Sequence, residues 1–161
     1  MADYPTGITL EEIAAEEADL HFAHFDFDDA WRLGTMLVET ARLRELPIAI
    51  DISRGGQQLF HAGLPGSAPD NDAWIARKIA SVLRFGRSSM ALSLERKLDG
   101  RTLAEVSFVD PHQFAAAGGC FPIRIDRAGI IGTVTVSGLP QVEDHRLVVA
   151  TIRAFLASAA R

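Results

Sequence analysis

The sequence is poor in several residues that would direct its interpretation. It has one cysteine, one tyrosine and two tryptophans in 161 residues. A single cysteine, Cys120, excludes an internal disulfide and fits a reducing compartment. No apolar run reaches the roughly 18 residues that a membrane-spanning helix needs. Met1 to Pro5 carry neither a basic nor an apolar stretch, so no secretory signal is expected. The expected location is the cytoplasm. Positive charge is also short, with 16 Lys and Arg against 21 Asp and Glu and a net charge of -5. That balance excludes the electrostatic footprint of a nucleic-acid binder. Several motifs are missing as well. No Walker or dinucleotide-binding glycine pattern occurs, and Gly55-Gly56 sits in a hairpin turn rather than at a helix start. There is no His-Glu-x-x-His zinc motif and no Cys-x-x-Cys-His haem attachment. Ser137 lacks the Gly-x-Ser-x-Gly elbow of a hydrolase.

What is present suits an ordinary globular chain. Apolar residues make up 48% and charged residues 23%, which predicts one domain over 1–161 with one sizeable core. Thr9 and Glu12 have capping-box spacing and open a first helix to Leu20. His21 to Phe25 is predicted as a strand. Asp26 or Asp28 starts a helix to about Glu45, with Ala30, Leu33, Leu37, Val38 and Ala41 on one stripe. Residues 47–53 and 58–62 form a hairpin. Helices are predicted from Asp70 or Asp72 to Phe85 and from Ser88 to Leu98. Leu103 to Val109 is predicted as a strand, and Asp110-Pro111 as the start of a short helix stopped by Gly118-Gly119. A second hairpin spans Phe121 to Ser137, and a last helix runs from Pro140 to Ser158. The fold class is α+β, with a mainly antiparallel sheet and helices on at least one face.

The least generic residues lie in the last third. Val136-Ser137-Gly138-Leu139-Pro140 leads into a helix whose first turn holds Glu143 and Asp144. Acids there complement the helix dipole, which alone accounts for Glu143. His145 shares a face with Val148, Ile152 and Phe155, so it points inward. A helix N-terminus disfavours imidazolium, and a neutral ring can accept a hydrogen bond or ligate a metal. The plainer alternative is a buried histidine bonded to backbone. Gly118-Gly119 either lets the backbone approach a ligand or stops a helix. Lys78 lies at the shoulder of an apolar stripe, beside Ile75 and Ile79, and can bury its stem while presenting its amine at a cleft. Arg77, Ser81, Arg84 and Ser88 share a basic helix face that holds a carboxylate or a haem propionate, or is simply solvated. Cys120 has no base beside it in sequence.

The segments Trp74 to Lys78, Arg84 to Ser89, Gly118 to Ile123, Gly132 to Pro140 and Asp144-His145 occur in the order seen in one family. The chain resembles the cytosolic, uncharacterised branch of the haem-degrading-domain (HbpS-like or GlcG-like) family. The resemblance implies a profilin-like α/β/α layered domain with a five-stranded antiparallel sheet. It implies homo-oligomers assembled from dimers. Some relatives bind haem and are associated with its degradation, and one eukaryotic relative is linked to protein-targeting chaperone work.

Three functional expectations follow. The first is a cytoplasmic small-ligand-binding protein, with haem or a related tetrapyrrole as ligand. Its cleft would be built by Gly118, Gly119, Ser137, Gly138 and His145, with Lys78 or Arg77 as counter-charge and His145 as polar anchor or axial ligand. The second is a non-catalytic oligomeric or chaperone-associated module in which the same motifs serve packing. The third is an enzyme on a small anionic metabolite with His145 as general base. Adjacent helical residues point about 100° apart, so Asp144 is badly placed to orient His145.

Overall fold

The fold was obtained as a computed structural model and is described for residues 7–160; Met1 to Pro5, read above for a secretory signal, lie outside the described residues. Two capping boxes set the first helices. Thr9 and Glu12 satisfy each other's backbone at the start of α1 (Leu10–Asp19), and Asp26 and Asp29 do the same for α2 (Phe27–Leu43). A hairpin of β1 (Ala49–Arg54) and β2 (Gln57–Gly63) follows. Helices α3 (Pro69–Phe85) and α4 (Ser89–Asp99) each end on a left-handed glycine, Gly86 and Gly100. A one-turn helix α5 (Leu103–Ser107) leads to the hairpin of β3 (Cys120–Ile125) and β4 (Gly129–Ser137), and α6 (Gln141–Ala159) closes the chain.

The strands form one antiparallel sheet in the order β2-β1-β4-β3. Among the described residues it has four strands, not the five that the family resemblance implied. Two of the six segments read as strands do not join it. Leu103 to Val109 is helical through Ser107, because Thr102 and Glu105 form a third capping box and Phe108 then turns left-handed. His21 to Phe25 contributes a single parallel bridge, Phe22 to Ile125. A third expectation also fails: Asp110-Pro111 opens a turn rather than a helix, and residues 114–117 have no regular secondary structure. Gly118-Gly119 therefore terminates no helix.

Strand alternation splits the sheet into two unlike faces. Ile50, Ile52, Phe121, Ile123, Val134 and Val136 point to one side, where α2 and α6 cover them with Leu33, Leu37, Val148 and Ile152. Burying each such side chain contributes roughly 1.5–3 kcal/mol. The other face carries Asp51, Cys120, Thr133, Thr135 and Ser137, all buried, and α3 packs over it. The layers are thus α/β/α. Asp51 is satisfied there by Ser53 Oγ and Gln58 Nε2, each donating at 2.6 Å. Polar residues under a covering helix set the position of the site.

Candidate functional site

Helix α3 buries Ile75, Lys78 and Val82 along one stripe, so a lysine occupies a position where a core residue is expected. Its side chain crosses to the end of β4. Lys78 Nζ donates to Val136 O at 3.0 Å and to Asp144 Oδ2 at 3.3 Å. Both partners are sealed, Lys78 at 3% and Asp144 at 2% exposure. Lys78 is the only buried lysine or arginine among the described residues.

Asp144 reaches this position because of the bend before α6. Pro140 precedes the helix and offers no capping side chain. Asp144, one turn in, takes that role: its Oδ1 accepts from Leu139 N at 3.1 Å, and the Gly138 backbone also supports the carboxylate. Burial nevertheless outweighs these partners and raises the Asp144 carboxyl from 3.8 to about 6, with Lys78 the leading opposing influence. Burial likewise lowers the Lys78 amine below its ordinary value, again against the pull of Asp144. The two shifts agree in cause: both ions are short of water, and each only partly replaces it for the other.

The two glycines make this crossing fit. Gly119 has φ +123°, and a Cβ there would lie 2.7 Å from Lys78 Nζ and 2.5 Å from Val136 O. At Gly118 a Cβ would strike Gln141 O and the Met90 sulfur. The backbone at 118 is held by Gln141 Oε1, which accepts from Gly118 N at 3.0 Å. The glycine pair therefore serves close approach rather than helix termination, Gly119 to the amine and Gly118 to the start of α6.

An open cleft of about 290 Å³ lies against this pair. Lys78, Gly118, Ser137 and Gly138, four of the residues singled out from the sequence, line it together. Asp144, Trp74, Asp70, Asn71 and Gln141 complete the polar and aromatic part of the wall. Gly119 sits behind the amine rather than on the wall. His145 is not among the lining residues. It is 1% exposed, packs at 6.1 Å from the Phe121 ring, and its Nε2 donates to Glu16 Oε2 at 2.8 Å. Nε2 carries the proton in that bond, and Nδ1 has no hydrogen-bond partner among the described residues. Consecutive residues thus serve different neighbours: Asp144 faces α3, while His145 faces α1. Arg77 is half-buried and stacks on Trp74 at 4.0 Å.

Sequence reasoning kept Lys78 in view but read Asp144 as a first-turn acid and a neighbour of His145, not as the partner of Lys78. The missing signal was local: a proline at the helix start with no capping hydroxyl, followed within a turn by a carboxylate. Cys120 is fully buried, and burial pushes its thiol up to about 12, although Thr135 Oγ1 donates to the sulfur at 3.1 Å. It is no nucleophile in the folded chain. Among the described residues no helix is long and apolar enough to cross a membrane.

With this geometry in place, likenesses to known proteins bear on lineage and fold. The chain is 54% identical over 156 residues to a UPF0303 protein of Streptomyces coelicolor, covering 97% of this chain and 99% of that one. Its fold superposes on the crystal structure of the Ybr137w protein with a TM-score of 0.89 at 36% identity, covering 96% and 91% of the two chains. It also matches the crystal structure of a PduOC–haem complex with a TM-score of 0.65, covering 81% and 94%, and at 20% identity that likeness concerns fold alone. A family model described as haem-degrading protein HbpS-like matches residues 25–153, and the chain accordingly belongs to the HbpS-like family.

Proposed function

We propose that this protein binds a small polar ligand in the cleft between α3 and the 137–141 bend, with the Lys78–Asp144 pair as its polar anchor. The observation that carries the reading is the buried lysine on the cleft wall. A desolvated cation is costly unless its position is used, and titratable groups displaced by burial in a cleft mark functional sites. The cleft volume of about 290 Å³ lies just below the usual range of ligand pockets, about 300 to 1,000 Å³. Its charged lining is one amine against two carboxyls, Asp70 and Asp144, so a compact neutral molecule suits it better than an anion.

Haem is the ligand suggested by the family description and by the haem-bound neighbour. The residues here fit it poorly. His145 Nδ1 is the only free imidazole nitrogen at the predicted position, and its ring is 1% exposed beside Phe121. Cys120 is fully enclosed and holds its proton. We assign neither as an iron ligand. The proposal also places the protein in the cytoplasm, supported by its single unpaired cysteine. It includes self-association, for which the support is exposed Phe27 and Trp31 at 60% and 65%, with Phe60 of the edge strand 5.9 Å from Trp31.

Amide NMR titration tests the site, with acetamide as a compact neutral probe and haemin as the alternative. Saturable shifts at Gly118, Gly138 and Leu139 with acetamide are expected. A shifted Soret band that disappears in His145→Ala would sink the small-ligand reading in favour of haem. Light scattering on the wild type and on Trp31→Ser tests self-association; a monomer at every concentration refutes it.

A further inference from the structure

The cleft's anchor is unusual in chemical kind as well as in burial. Of the chain's 16 basic residues only two, Lys78 and Lys97, are lysines. Arginine, used at every other basic position, stays protonated in proteins, whereas an amine can give up its proton and become a nucleophile. One of the two lysines is the one buried basic residue on the cleft wall, and the other is exposed on α4.

The surroundings of Lys78 Nζ suit that use. Asp144 Oδ2, at 3.3 Å, is within reach to take and return a proton. Behind the amine, Gly119 lets the backbone come close to the nitrogen, which a Cβ there would meet at 2.7 Å, and the amine is held at the wall of the cleft. Desolvation favours the neutral forms of both groups, the state in which a lysine attacks a carbonyl. The two carboxyls of the lining disfavour an oxo acid and leave a neutral carbonyl compound as the matching class.

Building on the small-ligand reading of this cleft, we propose that Lys78 condenses reversibly with a small neutral aldehyde, with Asp144 as its proton carrier. Transfer of one proton from Nζ to Oδ2 gives amine and carboxylic acid. The amine lone pair adds to the carbonyl carbon, the N–C bond forms, and the carbonyl oxygen takes the proton from Asp144. The nitrogen then returns a proton to the Asp144 carboxylate, leaving a neutral carbinolamine. Its hydroxyl departs as water with that proton, and the nitrogen lone pair closes a protonated C=N bond. The products are water and an iminium paired with the Asp144 carboxylate. Charge and atoms balance, and no oxidant or reductant takes part. Aldehyde capture or exchange is the chemistry this arrangement supports.

The test uses the wild-type protein. It is incubated with acetaldehyde and sodium cyanoborohydride at pH 7, then cleaved at arginine and analysed by mass spectrometry. Cleavage separates the two lysines into the peptides Lys78 to Arg84 and Lys97 to Arg101. Burial lowers the Lys78 amine below its ordinary value and so enlarges its share of reactive free base, and with the Asp144 carboxyl beside it Lys78 is expected to gain its ethyl mark at least several-fold faster than Lys97. Asp144→Asn is expected to slow that labelling at least about tenfold while leaving Lys97 unchanged. Equal labelling of the two lysines, or labelling confined to Lys97, overturns the proposal and leaves Lys78–Asp144 as a structural ion pair. The acetamide titration separates the two levels. Cleft shifts without Lys78 labelling refute only the aldehyde chemistry, and absence of both refutes the ligand site as well.

Discussion

Replacing Asp144 by Asn offers a quantitative check on the buried pair, because it keeps the shape and removes the titration. In the folded chain the Asp144 carboxyl is raised from 3.8 to about 6, first by burial and against the pull of Lys78 and the Leu139 and Gly138 backbone. A carboxyl with a raised folded value binds more protons folded than unfolded between those two pH values. Its contribution to stability is therefore complete below about pH 4 and is lost as pH rises through about 6. A displacement of about two pH units corresponds to roughly 3 kcal/mol. Below pH 4 the protonated wild type and the variant present similar neutral groups to Lys78. As pH rises to about 6.5, the stability difference should move by roughly 3 kcal/mol in favour of the variant. Urea unfolding of both proteins at half-unit steps from pH 4 to 7, followed by tryptophan fluorescence, gives this difference directly. Parallel stability curves across that range would show that Asp144 titrates normally, and the electrostatic account of the site would be wrong.

Three further outcomes are expected. Gly119→Ala places a Cβ against Lys78 Nζ and Val136 O at a φ of +123°; it should cost on the order of 1–3 kcal/mol from backbone strain alone, measured by urea unfolding, and wild-type stability would contradict the close-approach role. Cys120, fully buried with its thiol raised to about 12, should resist iodoacetamide in the native protein and react on unfolding; rapid native alkylation would contradict its burial. Ile50→Ala, in the fully buried α2–α6 face of the sheet, should cost about 2–5 kcal/mol, and a loss under 1 kcal/mol would show that the two faces have been assigned the wrong way round.

Much of this architecture was legible because local signals agreed with tertiary demand. The capping box at Thr9, the helix start at Asp26 (one of the two candidates), the helix ends near Phe85 and Leu98 and the two hairpins lie where their residues placed them. Leu103 to Val109 misled because its apolar run is short, and at that length strand and helix share a pattern; the Thr102–Glu105 cap decided it. His21 to Phe25 has strand composition, but its backbone meets β3 at one bridge only. At the site, Lys78 was legible as an amphipathic lysine at the edge of an apolar stripe. Its partner was not. Nothing local joins residue 78 to residue 144, and only the α3–sheet–α6 packing brings them within 3.3 Å. His145 drew notice for a sound reason, its inward-facing helical position, and the fold does bury it. Which inward neighbour it meets is a matter of topology, and that neighbour is Glu16 of α1.

The measurement closest to the central claim is the titration of Lys78 itself. With only two lysines in the chain, selectively labelled lysine Cε resonances are assignable from a Lys97→Arg comparison. Burial against the cleft should bring the Lys78 midpoint below the ordinary 10.5, despite the nearby Asp144 carboxylate. A midpoint at or above 10.5 would mean an amine held as a stable ammonium, and it would contradict the account of Lys78 as the reactive anchor of this cleft.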